Sequence, residues 1–277
     1  MQGGQWQVLY LLRGLRECGH QQVLLARGEL ARRAAEDGFD VRTPGSYPPA
    51  DIIHAHDAHA HTMAAMRSDR PLVVSRRVGF PMKRGMLSRW KYRRATHYIA
   101  ISRFVADLLI GAGLKPEAIS VVYDGVPMPA EVGFEPGGPI YGILKDPSTP
   151  ILMAAGHHAG VEIHAVQNIE NDMRNAGGLA YITNMQGLGS AAIFAMASGV
   201  PVVASRVGGL PEVVEHERTG LLVNNTVQEI AAALSRLVSE PALAARLARE
   251  GRLEALARFS AATMVEGTSR VYERLRG

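Results

Sequence analysis

The residues best suited to chemistry lie between Tyr181 and Glu212, where a strand-like run ends in Gln186-Gly187-Leu188-Gly189-Ser190 and passes straight into an apolar helical stretch. The first N–H groups of a helix lack an intrahelical acceptor and stand at the positive end of its dipole. A glycine-bearing loop at that point therefore makes a cradle for an anion. Two glycines let the backbone approach closely, and Ser190 adds a hydroxyl, a combination that suits a diphosphate. The same glycines would also serve a tight strand-to-helix turn with no ligand. A second loop, Arg206-Val207-Gly208-Gly209-Leu210-Pro211-Glu212, follows the strand-like Val200–Ser205. Ligands of open α/β sheets gather outside the carboxyl ends of strands, so both loops are expected to line one cleft, with the first half of the chain as its opposite wall.

Three other patterns compete for a role. Gly187-Leu188-Gly189-Ser190-Ala191-Ala192 fits the G-x-G-x-x-A dinucleotide fingerprint, and Arg206 stands about 20 residues on, where an NADP-binding arginine is found. Against an oxidoreductase, the motif does not open a domain, and no Tyr-x-x-x-Lys-like set lies near it. His54, His56, His59 and His61 are spaced densely enough to raise a metal site, but no acidic partner set or cysteine accompanies them, and no metal is assigned. From Arg76 to Arg94 there are eight cations (Arg76, Arg77, Lys83, Arg84, Arg89, Lys91, Arg93, Arg94) and no acid, while the whole chain carries only +4. One reading is a solvated helix face. The other is a surface for anionic lipid or an anionic acceptor, with Phe80, Met82, Met86, Leu87 and Trp90 interspersed to touch a membrane interface. Nucleic acid is not indicated, since no helix-turn-helix or RNP-like pattern accompanies the charge.

These residues need a scaffold, and the chain alternates short β-rich runs with amphipathic helices almost throughout, which predicts doubly wound parallel sheets. The 277 residues, 47% hydrophobic and 20% charged, fit two globular domains. A first helix is expected over Trp6–Glu17 with Gly19 as its C-terminal cap. Strands are expected at Gln22–Leu25, Val41–Arg42, Asp51–Ala55, Pro71–Ser75, His97–Ser102 and Ile119–Tyr123. Val126–Pro139, with four prolines and three glycines, reads as a linker, giving domains 1–138 and 139–277. Beyond it, strands are expected at Ile140–Ile143, Val161–Val166, Leu179–Thr183, Val200–Ser205 and Leu221–Val223. Thr226 and Glu229 form a capping box, Pro241 opens a helix, and Ser260 caps the last one. No apolar stretch approaches the roughly 18 residues of a membrane span, and Met1-Gln2-Gly3-Gly4 has neither the basic start nor the apolar run of a secretory signal, so the cytoplasm is the expected compartment. Cys18 is alone and is expected in the core.

With these elements in place, the sequence resembles the GT-B glycosyltransferases of family 4, two Rossmann-like domains of which the second holds the donor nucleotide-sugar. The resemblance rests on Gly3-Gly4 before a helix ending Glu17-Cys18-Gly19-His20; Asp51-Ile52-Ile53-His54-Ala55-His56-Asp57; Ile99-Ala100-Ile101-Ser102; and Val122-Tyr123-Asp124-Gly125-Val126. In the second half it rests on Gly187-Leu188-Gly189, on Ala195 through Ser205, on Gly208-Gly209-Leu210-Pro211-Glu212 and on Thr219-Gly220-Leu221-Leu222-Val223. It implies that Gly187, Leu188, Gly189 and Ser190 face the donor diphosphate, with Gly208, Gly209 and Glu212 beside them. It also implies that a Gly3-Gly4 loop closes over the sugar, that His56 and Asp57 touch the acceptor or transferred sugar, and that the last helix packs back on the first domain. Transfer in this family retains anomeric configuration and uses no bound metal, which fits the lack of an Asp-x-Asp motif.

The chain also departs from the family pattern. Gln186 and Phe194 stand where the family has two glutamates, one near the sugar hydroxyls and one near the ribose, so catalytic Gln186 can still hydrogen-bond but Phe194 cannot. Lys145 is the one cation near the place of the family's early basic pair. The family's first strand has only Met1-Gln2 before Gly3, and the stretch between Lys145 and Val161 is short of the family's material. The expectation is a retaining, metal-independent transferase moving a sugar from a nucleoside diphosphate to a cell-envelope glycan or lipid such as lipopolysaccharide. It needs no cofactor beyond that substrate, and Arg76, Arg77, Lys83, Arg84 and Trp90 face the acceptor or the inner membrane surface. A non-catalytic or fragmentary homologue is the alternative from a different class.

Overall fold

The structure is a computed structural model that describes residues 3–45, 48–67, 69–82, 85–130, 133–144 and 146–276. Lys83, Arg84 and Lys145, expected at sites, and Met1-Gln2 lie outside the described residues. The chain divides into two compact units, 1–125 with 261–277, and 126–260. The boundary thus falls at Gly125/Val126 instead of 138/139. The proline- and glycine-rich stretch belongs to the second unit because its backbone is tied there: Val126 N–H donates to Phe259 O, and Gly133 donates to Ser198 O and accepts from Ala176 N–H.

The first unit runs α1 (Gly3–Glu17), β1 (Val23–Leu25), α2 (Gly28–Glu36), β2 (Asp40–Arg42), β3 (Ile53–Ala55), α3 (Ala58–Arg67), β4 (Leu72–Arg76), α4 (Met86–Arg94), β5 (His97–Ala100), α5 (Arg103–Gly111) and β6 (Ile119–Val121). β3-β4-β5-β6 form one parallel sheet in that order, and β1 and β2 pair in parallel as a separate sheet. No strand among the described residues joins the two. The second unit runs β7 (Ile140–Gly142), α6 (Thr149–Ala159), β8 (Ile163–Ala165), α7 (Ile169–Asp172), β9 (Gly178–Tyr181), α8 (Ser190–Ala197), β10 (Val202–Ser205), α9 (Leu210–Val213), β11 (Leu221–Val223), α10 (Val227–Ser239) and α11 (Pro241–Arg258). Its parallel strands lie in the order β11-β10-β9-β7-β8. This sheet is continuous, and the segment after Lys145 that seemed short holds α6. The closing helix α12 (Ala261–Arg276) belongs to the first unit.

Why α12 settles there is plain from α1, whose apolar residues occupy two stripes. Leu11 and Leu15 join Val73, Ile99 and, from α12, Val265 and Val271; Val8, Leu9 and Leu12 join Leu30 and Ala34 of α2. Each buried leucine or valine contributes about 1.5–3 kcal/mol. The α1 and α12 backbones approach so closely that a Cβ at Gly14 would overlap the Val265 side chain. The α1 helix takes in Gly3 and Gly4, so the expected Gly3-Gly4 loop is absent. A first-turn position leaves their N–H groups without intrahelical partners whatever residue stands there, and glycine is tolerated. Gly19, at φ +83°, ends the helix with His20 N–H on Leu15 O. Cys18 falls past the last turn and is exposed, not in the core.

In the second unit, α6, α10 and α11 cover one hydrophobic cluster, with Leu152, Ile230, Leu234 and Leu247 fully buried beside the strand residues Ala180 and Val203. α8 is apolar on all sides and buried from Ala192 to Ala197. Strand order reverses between β7 and β9: one connection leaves toward β8, the other toward β10 and β11. In open α/β sheets such a reversal is the point at which a crevice opens at the carboxyl edge. Among the described residues no helix is long and apolar enough to cross a membrane.

Candidate functional site

Each unit gathers polar residues at the carboxyl edge of its sheet. In the second, the loop after β9 leads into α8, whose first residue follows Gly189 at φ +112°. A Cβ on Gly189 would come within 2.6 Å of Leu210 Cδ2. Side chains at Gly208 and Gly209 would overlap the carbonyl oxygens of Gln186 and Gly187, and Gly209 N–H donates to Gln186 O at 3.0 Å. The two glycine loops therefore lie backbone to backbone, and Gly208 and Gly209 serve that contact. Leu188 is buried, whereas Ser190 is half-buried and its hydroxyl makes no hydrogen bond among the described residues. The spare hydroxyl stands on the first turn of α8 together with that turn's N–H groups. Glu212 is half-buried on α9, with its N–H on Gly209 O.

Gln186 Nε2 donates to Tyr181 OH at 2.8 Å. Burial, and then the charge of Asp146, push the Tyr181 phenol up to about 12, so it stays protonated. Phe194 is only 8% exposed and packs inside α8's layer, which departs from its expected place against the donor. A polar cluster that the sequence reading missed spans the β7/β9 crevice. Asp146 accepts from Ser148 N–H at 2.9 Å and from Thr183 Oγ1 at 2.7 Å; Asn225 Nδ2 donates to Thr183 O at 2.9 Å and its Oδ1 accepts from Ser205 Oγ at 2.6 Å. Burial alone would raise the Asp146 carboxyl, but the hydrogen bonds from Ser148 and Thr183 outweigh it and hold it below its usual range. The one available signal was Asp146-Pro147-Ser148-Thr149, a turn-forming run just before α6.

In the first unit, His54 and His56 extend from β3, Ser75 and Arg77 from β4, and Asp124 follows β6. His54 is held on both nitrogens, by Tyr272 OH of α12 at 2.6 Å and by Ser75 Oγ at 2.8 Å. Its ring lies 4.0 Å from that of His56. Arg77 donates from Nε to Asp124 Oδ1 and from Nη1 to His56 Nδ1, both at 3.1 Å. Burial and Arg77 lower the His54 pKa to about 3; burial, His54 and Arg77 take His56 well below its usual value. Gly4 lies near the Arg77 stem: a Cβ added there would stand 3.8 Å from Cδ.

Several expected site residues are used differently. The Asp57 carboxylate caps α3, accepting from the N–H groups of His59 and Ala60 at 2.8 Å each. Arg77 is buried with Asp124, not presented on a surface: its side chain is 11% exposed. Arg76 is spent on Tyr92 OH and Phe80 O. His61 is buried against Lys91 O, so the four histidines diverge. What α4 does expose is Met86, Leu87 and Trp90, beside Arg89 and Arg93. Neither arginine pairs with a carboxylate among the described residues, whereas Arg13, Arg32, Arg218, Arg236 and Arg258 all do.

Comparison with known proteins fits this geometry. Residues 142–240 match the family model described as Glycosyl transferases group 1, and residues 48–128 match Glycosyltransferase Family 4. The chain thus carries glycosyltransferase domains of the group 1 and family 4 kind on a GT-B fold. An MMP alpha-(1->4)-mannosyltransferase of Mycolicibacterium hassiacum is 42% identical over 91 residues, 32% of this chain and 22% of that protein. A D-inositol 3-phosphate glycosyltransferase of Saccharomonospora viridis is 41% identical over 95 residues, 34% of this chain and 22% of that protein. The chain spans less than a quarter of the length of these curated relatives in the matched region. Among solved structures, Anabaena HepE in complex with UDP and glucose superposes with a TM-score of 0.81 at 18% identity, covering 99% of this chain and 96% of that one.

Proposed function

We propose that the protein transfers a sugar from a nucleoside diphosphate to a glycan or lipid acceptor, with retention and without a metal. The observation that carries this is the β7/β9 switch point, where a half-buried Ser190 hydroxyl and the N-terminal amides of α8 stand at the crevice. A leaving diphosphate would be met there by helix amides, which stabilise negative charge without reorganising. Gln186 and Glu212 would meet sugar hydroxyls, and His56 would meet the acceptor or transferred sugar. The matched family models and the UDP- and glucose-bound state of Anabaena HepE support a nucleotide-sugar donor. Calorimetry with UDP, ADP and GDP should give saturable binding of one of them, and one sugar derivative of that nucleotide should be turned over with release of the nucleoside diphosphate. A folded sample that releases none from a panel of nucleotide-sugars counts against transfer. Should it also bind no nucleotide, the non-catalytic reading, motivated by Gln186 and Phe194, takes its place.

The exposed face of α4 supports an acceptor at a membrane. Met86, Leu87 and Trp90 supply apolar area, and Arg89 and Arg93, free of carboxylates among the described residues, would each gain about 1 kcal/mol near an anionic leaflet such as the cytoplasmic one. The chain should sediment with vesicles containing phosphatidylglycerol, less so at high salt, and not with phosphatidylcholine alone. Equal sedimentation with both removes the electrostatic part of this reading.

A further inference from the structure

We propose that the buried Arg77–Asp124 pair is a positioning device that fixes the tautomer of His56, so that His56 meets its sugar partner as a neutral Nε2–H hydrogen-bond donor and not as a proton-accepting base. The inference rests on the glycosyl-transfer reading for the identity of the partner, but not for the state of the imidazole.

The reasoning starts from what a guanidinium can do. It carries five N–H donors and no acceptor. Arg77 Nη1 stands 3.1 Å from His56 Nδ1, so Nδ1 must offer its lone pair, and the single proton of a neutral imidazole then sits on Nε2. Protonating His56 would set an N–H against an N–H and one cation against another. Burial, His54 and Arg77 each disfavour that charge. Asp124 makes the arrangement possible by holding Arg77 through Nε, with side-chain exposures of 11% and 8% for the pair. A buried ion pair is weak evidence for stability, because apolar residues of similar volume often do as well, but it orients its neighbours closely.

The surroundings complete the lock. His54 lies against His56 at 4.0 Å and is itself pinned between Tyr272 of α12 and Ser75 of β4, so the ring has a fixed wall on one side. Turning the His56 ring over would put a C–H toward Arg77 and lose the hydrogen bond. Asp57, the nearest carboxylate in sequence, turns Oδ1 to the first turn of α3 and makes no hydrogen bond with His56 among the described residues. Nε2 is left over on a half-buried residue with no other hydrogen bond among the described residues. A donor of that kind suits a sugar hydroxyl oxygen or a phosphate oxygen, and it does not change charge across the neutral pH range.

The test is the imidazole nitrogen spectrum of the folded chain labelled with 15N-histidine, with His56 identified by its loss in His56→Gln. The expected pattern is a bare Nδ1 and a protonated Nε2, unchanged between pH 8 and pH 5.5. Arg77→Met, which keeps the apolar stem and removes the donors, should mix the tautomers and raise the His56 titration midpoint by about one pH unit or more. Arg77→Lys, which keeps charge and a donor but not the fork to Asp124, should fall between. A wild-type His56 protonated on Nδ1, or titrating near 6.5, overturns the proposal even if neither variant folds. An Arg77→Met chain that folds with tautomer and midpoint unchanged also overturns it. The expected spectrum in a chain that turns over no nucleotide-sugar would refute the transfer reading while leaving the lock in place.

Discussion

The two sheet edges solve the same problem with different materials. The first unit's edge is built from side chains: two imidazoles tilted against each other at 4.0 Å, an ion pair less than one-eighth exposed and a tyrosine lent by α12. The second unit's edge is built from main chain, two glycine loops in backbone contact around the start of α8. Side chains can hold defined protonation states, and backbone can hold an anion without a charged residue. The first edge should therefore be sensitive to pH and charge removal, and the second to added volume.

The largest effect is expected at the ion pair. Arg77→Met leaves Asp124 buried without its partner, and should cost the first unit about 3–5 kcal/mol in chemical denaturation, while pairing it with Asp124→Leu restores much of that. Gly208→Ala comes next. It forces a side chain into the Gln186 carbonyl at φ +55°, which should cost the second unit about 2–4 kcal/mol and abolish nucleotide binding in calorimetry. Equal tolerance of both changes would erase the contrast.

Acid separates the units more gently. His54 has a folded pKa of about 3 and His61 of about 4, against an unfolded value near 6.5, and His56 and His97 are lowered as well. The unfolded chain binds protons first, so the first unit loses stability as pH falls from about 6.5, by at most about 1.4 kcal/mol per pH unit for each histidine. Asp124, raised by burial against the pull of Arg77, works in the opposite sense and offsets part of this. The lowered carboxylates of the second unit, Asp146 and Glu254, stabilise it above their unfolded values and fail only as pH drops below about 4. Two acid transitions followed by circular dichroism, the first unit's at higher pH, are expected. The smallest effect is Gln186→Glu: Tyr181 OH can donate to the new carboxylate, so melting should change by about 1 kcal/mol or less while nucleotide affinity changes measurably. Phe194→Glu, by contrast, would bury a carboxylate in α8's layer and should destabilise the chain instead of restoring a ribose contact.

Much of the fold was readable residue by residue. All eleven strands among the described residues fall within or beside the expected runs, Gly19 ends α1, and Thr226 caps α10 through the N–H group of Glu229. The glycine loop before Ser190 was legible too, because a strand, a glycine turn and a helix start are adjacent in sequence. The candidate site was legible only in part. Asp57 looked like a sugar contact, yet its carboxylate is used two and three residues on as a helix cap, a role that any Asp before a helix can take. Arg77 stood in a run of cations and read as surface, because nothing local distinguishes an arginine that turns inward from one that turns out.

The sequence alone determined what nearest neighbours control: strand alternation, helix caps, and the presence of a helix start where an anion could be held. Tertiary structure decided the rest. Arg77 meets Asp124 across 47 residues and His54 meets Tyr272 across 218, and these encounters exist because the strand order brings four chain segments to one sheet edge and α12 returns onto α1. Periodicity and capping act over a few residues, whereas the burial and partner of a charge depend on which strands lie side by side, and no local pattern encodes that.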